Sequence, residues 1–278
     1  MQGATPKKVQ PVTAKSMRFV VFPLLLVLIL SLASFKTLNP GKKSGVRTVV
    51  IDAGHGGHDP GCQYGGAKEK EVTLAIALKL GKIIKENCKD VKVIYTRSDD
   101  TFVELHERAA IANRNNAMAF ISIHCNANDK KEICGTETYT MGLHKTADNL
   151  NVAKRENDVV LLEDDYTERY DGFNPKSPQA HIIFSLYQDA YFSQSLRLAS
   201  RIENEFKTKA LRTSRGVKQA GFLVLWKTTM PSILIETGFL SNTAERKYLT
   251  SDSGQTYLAS GIYRAFKEFK TEVEATRK

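Results

Sequence analysis

The stretch Val49–Gly61 reads V-V-I-D-A-G-H-G-G-H-D-P-G. Three β-branched residues run into an aspartate, and of the nine positions that follow, five are Gly or Pro, with His55 and His58 among them. A short apolar run ended by such breakers reads as a buried strand. A glycine-rich loop is costly to order, so a histidine set inside one is expected to hold something.

Outward from this strand, apolar runs alternate with helical patterns. R-T-V-V-I-D (47–52), V-K-V-I-Y-T-R (91–97) and A-F-I-S-I-H (119–124) read as strands, and G-T-E-T-Y-T-M (135–141) alternates like another. Residues 69–86 carry apolar side chains at 72, 76, 80, 83 and 84, a helical stripe. Helices are also predicted over 104–116 and 187–209 and from about Thr243 and Thr256 onward, with strands at A-G-F-L-V-L-W (220–226) and S-I-L-I-E-T (232–237). This order predicts a single α/β domain over 46–272, with a mostly parallel mixed sheet flanked by helices. Residues 142–186 stand outside the alternation. Their part from Glu163 to Pro178 is polar and acidic with Pro and Gly breaks, and reads either as a solvated loop or as a regulatory insert.

The net charge of +10 is concentrated at one end, since residues 1–50 hold eight Lys and Arg and no acid. The body is close to balanced and has no basic stripe interleaved with aromatics, so nucleic acid is not an expected partner. A basic segment (1–18) precedes the uncharged apolar run 19–35, and K-T-L-N-P-G-K-K-S-G (36–45) follows as a linker. The apolar run fits a signal peptide or a membrane anchor, and the sequence does not choose between them. Either places the body beyond a membrane, periplasmic or held on the outer side of the inner membrane, with membrane contact through this segment. Cys62, Cys88, Cys125 and Cys134 form no C-x-x-C or zinc-knuckle spacing. Cys125 and Cys134 are the pair closest in sequence, but three complete pairings remain open.

Nucleotide motifs fail. A dinucleotide fingerprint from Gly54 would need Gly where Asp59 stands, no G-x-x-x-x-G-K-[ST] occurs, and His106-Glu107 is followed by Ala110 where H-E-x-x-H needs His. Metal ligation fares better. In an open α/β sheet, ligands gather beyond the carboxyl ends of strands. His55, His124 and Glu236 sit at such ends, and Glu69 opens the helix after the glycine-rich loop. Two His and one carboxylate make a common catalytic zinc set with one position open, which leaves a further acid for proton transfer.

The motifs V-I-D-A-G-H-G-G-H-D-P-G, K-E-K-E-V-T-L-A-I-A, Y-T-R-S-D-D-T-F-V-E-L-H-E-R-A-A-I-A-N, F-I-S-I-H-C-N-A, G-T-E-T-Y, and Q-A-G-F-L-V-L followed by P-S-I-L-I-E-T-G-F-L-S-N resemble the zinc-dependent N-acetylmuramoyl-L-alanine amidases of the amidase-3 type. The resemblance spans about residues 47–270. It implies a peptidoglycan hydrolase that cuts the amide between N-acetylmuramic acid and L-alanine of the stem peptide with zinc-activated water. It further implies Zn2+ on His55, Glu69 and His124, with Glu236 as catalytic acid/base. Glu71, two residues along the helix from Glu69, would point elsewhere. Asn126, Glu137 and Arg97 are candidates for binding substrate or supporting the cleft. His58 reads as a rim residue, and His106, His144 and His181 as surface or packing residues. Cys125, next to a proposed ligand, is expected on the opposite face of its strand as a small buried hydrophobe. Gram-negative relatives often carry, in the interval of 142–186, an insert whose helix blocks the cleft until an envelope activator protein binds. A-K-R-E-N within this interval is similar, which makes self-inhibition and an activator partner expectations too. Two alternatives stand beside this reading: a non-catalytic peptidoglycan-binding protein of the same fold, and another zinc wall hydrolase such as a carboxypeptidase or deacetylase.

Overall fold

The computed structural model describes residues 48–177, 179–181 and 190–276. The expected basic segment, apolar run and linker (residues 1–45) lie outside these residues, as does the start of the helix expected from 187. Among the described residues, no helix is long and apolar enough to cross a membrane.

A six-stranded sheet has the order β4-β1-β5-β8-β6-β7. Its strands are β1 (Thr48–Ala53), β4 (Lys92–Tyr95), β5 (Ala119–Asn126), β6 (Thr136–Met141), β7 (Ser214–Ala220) and β8 (Ser232–Phe239). A short hairpin, β2 (Gln63–Tyr64) and β3 (Ala67–Lys68), leads into α1 (Glu69–Asn87). The first four strands in sheet order are mutually parallel. β6 runs antiparallel to β8, with β7 parallel to β6. The N-terminal ends of β6 and β7 therefore lie beside the carboxyl ends of β5 and β8, and chemistry from both directions meets along one sheet edge.

The central strands bury both faces, and side-chain alternation sorts them into two cores. Val49, Ile51, Ile121, Ile123, Ile233 and Ile235 face one core. It is completed by the stripe of α1 (Val72, Ile76, Leu80, Ile84) and by α5 (Phe192–Thr208) and α7 (Asp252–Thr276). Val50, Phe120 and Leu234 face the other, which contains α2 (Leu105–Arg114) and, from the interval 142–186, Val152, Ala153, Val159, Val160, Tyr170 and Phe173.

That interval is therefore no solvated loop. It forms α3 (Ala147–Asn157), a 3-10 turn (Asp158–Leu162) and the short α4 (Tyr166–Arg169), and its apolar residues supply part of a core. Thr146 caps α3 by accepting from the Asn149 N–H. One strand also differs from expectation. The run 220–226 is not a strand; β7 precedes it over S-R-G-V-K-Q-A, and Leu223–Leu225 is a 3-10 turn in the second core. Edge-strand polarity hides β7 in the sequence, while a buried turn shows the same apolar run as a strand. The last helix starts at Asp252 rather than Thr256, and a short α6 (Thr243–Leu249) precedes it. All four cysteines are free thiols.

Candidate active site

Four side chains, His55, Glu69, His124 and Glu156, each bring one ligand atom to within 4.8 Å of the others, and all four are buried. His55 Nε2 lies 3.1 Å from Glu69 Oε1 and 3.3 Å from Glu156 Oε2. His124 Nδ1 lies 3.2 and 2.9 Å from the same two oxygens. A tetrahedral ion with bonds of ~2.0–2.1 Å has ligand–ligand edges of about 3.3 Å. The cluster thus has the size of a zinc-like coordination shell, and His55 Nε2 and Glu156 Oε2 have no hydrogen-bond partner despite burial.

The opening stretch builds this geometry. His55 itself takes a left-handed backbone (φ 61°), a sparsely populated state for a non-glycine residue. At Gly54 a Cβ would fall 2.5 Å from the His124 ring, and at Gly61 (φ +64°) it would fall 2.6 Å from the His55 ring and 2.7 Å from Glu69. The glycines make room for the ligands as well as turning the chain. Asp59 fixes the His55 ring through Nδ1 (2.7 Å) and accepts from the Gly61 N–H (3.0 Å), the second carboxylate that holds a metal-binding imidazole in one orientation. Glu69 accepts from the backbone N–H of Cys62 (2.9 Å) and of Cys125 (2.8 Å). Arg108 donates to the carbonyls of Ala53 and His55 and pairs with buried Asp52 at 2.8 Å.

Charge in the cluster favours a cation. Burial opposes a charged imidazole, yet Glu156 and Glu69 outweigh it and raise His124 to about 9. His55 is raised too, with Glu69, Asp59 and Glu156 prevailing over burial. A dication held there would supply the positive charge that these carboxylates otherwise draw from protons.

Glu236 lies one strand over, paired in register with His124 on one side and Glu137 on the other. It is fully buried, and its Oε2 has no hydrogen-bond partner. Burial first, and then the neighbouring Glu156 charge, push its pKa well above the usual carboxylate range, the direction a proton-shuttling acid needs. Arg155 of α3 reaches Glu236 Oε1 at 3.3 Å, Asn126 Oδ1 at 3.1 Å and the Ala127 carbonyl at 3.2 Å, and donates to Glu156. The insert thus places a cation on Glu236 and a carboxylate on the histidines.

The remaining candidates fall as follows. Asn126 and Glu137 line a cavity of about 380 Å³ beside Arg155. Glu137 is held by Arg215, Lys218, Tyr139 and Asn126. Arg97 is buried away from it, donating to the carbonyls of Ala53, Gly54, Lys70 and Asp99. Glu71 is exposed and near Lys68, outside the cluster. His58 is exposed and stacks near Phe102. His181 is buried against Phe173 with Nε2 at the Pro175 carbonyl, and His144 is half-buried. Cys125 packs in the first core with Sγ near Thr237, on the face opposite His124. His106 belongs to a second group with Glu104 and Glu163, but its acids are engaged: Glu104 by Arg169, Glu163 by the Leu105 N–H and the Tyr170 hydroxyl. This group ties the insert to the start of α2. Sequence reading missed Arg155, Glu156, Asp59 and Arg108 as individual residues. A signal existed for Asp59, four positions after His55, and for Arg155-Glu156, inside the A-K-R-E-N motif.

Comparison with known proteins points the same way. Residues 49–268 match the family described as N-acetylmuramoyl-L-alanine amidase. The chain is 30% identical over 244 residues to the N-acetylmuramoyl-L-alanine amidase AmiA of Escherichia coli, covering 85% of this chain and 82% of that one. Among solved structures, the amidase AmiC2 of Nostoc punctiforme is similar with a TM-score of 0.59 and 30% identity, covering 81% of this chain and 98% of that one. The CwlD amidase of Clostridioides difficile, solved in complex with the GerS lipoprotein, is similar with a TM-score of 0.60 and 26% identity over 81% of this chain and 99% of that one.

Proposed function

We infer the mechanism from one premise: the chain belongs to the amidase-3 family of N-acetylmuramoyl-L-alanine amidases, and it hydrolyses peptidoglycan at the amide between N-acetylmuramic acid and L-alanine. The observation that carries the metal assignment is the clustering of the His55, Glu69, His124 and Glu156 ligand atoms within 4.8 Å of one another, with four imidazole–carboxylate distances of 2.9–3.3 Å. His55, Glu69 and His124 would hold Zn2+. Zinc there supplies Lewis acidity, lowering the pKa of water toward ~7 and polarising a carbonyl.

Glu236 is the acid/base: it takes the proton from water and returns one to the leaving amine of alanine, work suited to a carboxyl whose pKa is raised. Asn126 and Glu137, on the cavity wall next to it, are the substrate-binding candidates; Arg97 acts by holding the backbone of the His55 loop. Asp59 keeps His55 Nε2 aimed at the ion.

The same chain carries its own inhibitor. Glu156 would fill the fourth coordination position, and Arg155 occupies Glu236 and the Asn126 and Ala127 oxygens, so a substrate amide cannot enter until α3 withdraws. The activator is then a protein that binds the insert and favours its displaced state, and residues 142–186 are a regulatory insert in the domain 46–272. Action on peptidoglycan is extracytoplasmic. We place the protein in the periplasm, or tethered to the outer side of the inner membrane through residues 19–35.

Digestion of purified sacculi, with products identified by mass, tests this function. Free stem peptides are expected, abolished by a chelator and restored by zinc. Release of acetate or of terminal alanine would point instead to a deacetylase or carboxypeptidase, and no product at all to a binding protein.

A further inference from the structure

We propose that Arg215 reads a carboxylate on the stem peptide, on the residue that follows the alanine at the cut amide, and so makes the enzyme selective for free over amidated stems. The inference rests on the amidase reading and specifies the substrate of that same site.

The backbone is arranged to present this side chain. Thr136 pairs with Ser214 and Thr138 with Val217, so Arg215 and Gly216 together oppose the single residue Glu137. This is a bulge, with Gly216 at φ 85°. Bulges are uncommon between parallel strands and often re-aim a side chain next to an active site. Here Arg215 Nε donates to Glu137 Oε1 at 2.6 Å, and the side chain, 32% exposed, lines the same cavity as Asn126, Glu137, Arg155 and Phe239.

Glu137 cannot neutralise what surrounds it. Arg215 and Lys218 both bind its Oε1, so one carboxylate faces two cations. Lys218 is the more buried of the two, so the excess positive charge is presented through Arg215. Among the described residues, neither Nη atom of Arg215 has a hydrogen-bond partner, which leaves the forked end of the guanidinium for a planar anion. In the closed state, α3 brings its own acid, Asp148, to the wall of this cavity.

The spacing fits the second residue of the stem. Glu236 is paired with Glu137, and Glu137 lies opposite Arg215, so the guanidine belongs to a strand two places from the acid/base. At ~4.8 Å per strand that is about 10 Å. That backbone separation is of the order of two to three extended residues at ~3.3–3.6 Å each, a span that includes the second residue of the stem. In a stem peptide, that second residue carries either a free carboxylate or its amide.

The test uses two substrates that differ only there, N-acetylmuramoyl-L-alanyl-D-isoglutamate and N-acetylmuramoyl-L-alanyl-D-isoglutamine. All arms use the full chain with Glu156→Ala, so that the insert's plug is weakened equally. The expected result is a kcat/KM at least about tenfold higher for the acid. Adding Arg215→Gln should lower the acid value about tenfold and the amide value far less, and Arg215→Lys should keep part of the preference. Lys218 still holds Glu137 in both variants, so the sheet edge keeps its pairing. Equal kcat/KM for the two substrates, or a loss on Arg215→Gln that is the same for both, overturns the proposal while the cleavage itself upholds the amidase reading. Cleavage of neither substrate takes both down.

Discussion

Two regions meet at the ligand cluster, and they hold their residues differently. On the sheet side, the scaffold braces the cluster from behind: His55 by Asp59, Glu69 by two backbone N–H groups, and the loop carbonyls by Arg97 and Arg108. On the insert side, Glu156 sits on a polar helix and is braced by Arg155, whose other contacts are all groups of the site. A brace that belongs to the scaffold stays when the insert moves; one that belongs to the insert leaves with it. On the proposed function, the difference would separate a permanent ligand set from a detachable one.

That distinction can be broken at its strongest point first. His55→Ala should remove both metal and activity, and metal analysis with a thermal melt should show a lowered, zinc-insensitive Tm, because an ion that binds only the folded state stabilises it. Metal retained at one equivalent would refute the ligand set. Glu236→Gln should keep the metal but lose about 10²–10⁴-fold in turnover; wild-type-like muropeptide release by this variant would end its assignment as acid/base. Glu156→Ala addresses the detachable ligand. With one buried charge-assisted contact removed, basal cleavage without any partner should rise about tenfold or more, and an unchanged rate would mean that α3 does not restrain the site.

Smaller effects sharpen the contrast. Glu163 accepts from the Leu105 N–H and the Tyr170 hydroxyl accepts from the His106 N–H, two bonds that fasten the insert to the start of α2. Tyr170→Phe removes one of these bonds, worth ~0.5–1.5 kcal/mol, and should raise basal activity only about two- to fivefold. A rise as large as that of Glu156→Ala would move the restraint from the metal to this latch. The smallest effect lies in the scaffold. Burial raises the pKa of Glu203 above its ordinary 4.5, against the hydrogen bonds it accepts from Ser214, Thr138 and Thr136. A raised folded pKa means that the folded state binds the proton more tightly, so stability falls as pH rises from about 4.5 through the folded value. Glu203→Gln should flatten that part of the Tm-against-pH curve and gain about 2–4 °C near pH 7, without changing basal activity.

Much of the site was legible because its chemistry sits on short-range signals. His55 and His124 end apolar runs, Glu69 opens a striped helix, and Glu236 closes S-I-L-I-E; a strand end in a parallel sheet is a ligand position whatever the loops do. The face of Cys125 followed from strand alternation alone, and the structure places it opposite His124. The misses have physical causes. β7 is an edge strand whose charged residues mask its period, while F-L-V-L-W carries a strand-like apolar run into a buried turn. The polar insert reads as a loop because its few apolar residues, Val152, Val160, Tyr170 and Phe173, are too widely spaced to form a stripe, although together they complete a core.

By itself, then, the chain's order of residues determined the α/β alternation and singled out His55, Glu69, His124 and Glu236 as candidates, since each sits at a strand end or helix start written in the few residues around it; their separate roles came from the family resemblance. Only the tertiary structure decided that Glu156 meets His55 and His124, that Arg155 meets Glu236, and that a bulge turns Arg215 toward Glu137. Those contacts join positions far apart in the chain, and local pattern carries no information about which distant surface a polar side chain will face.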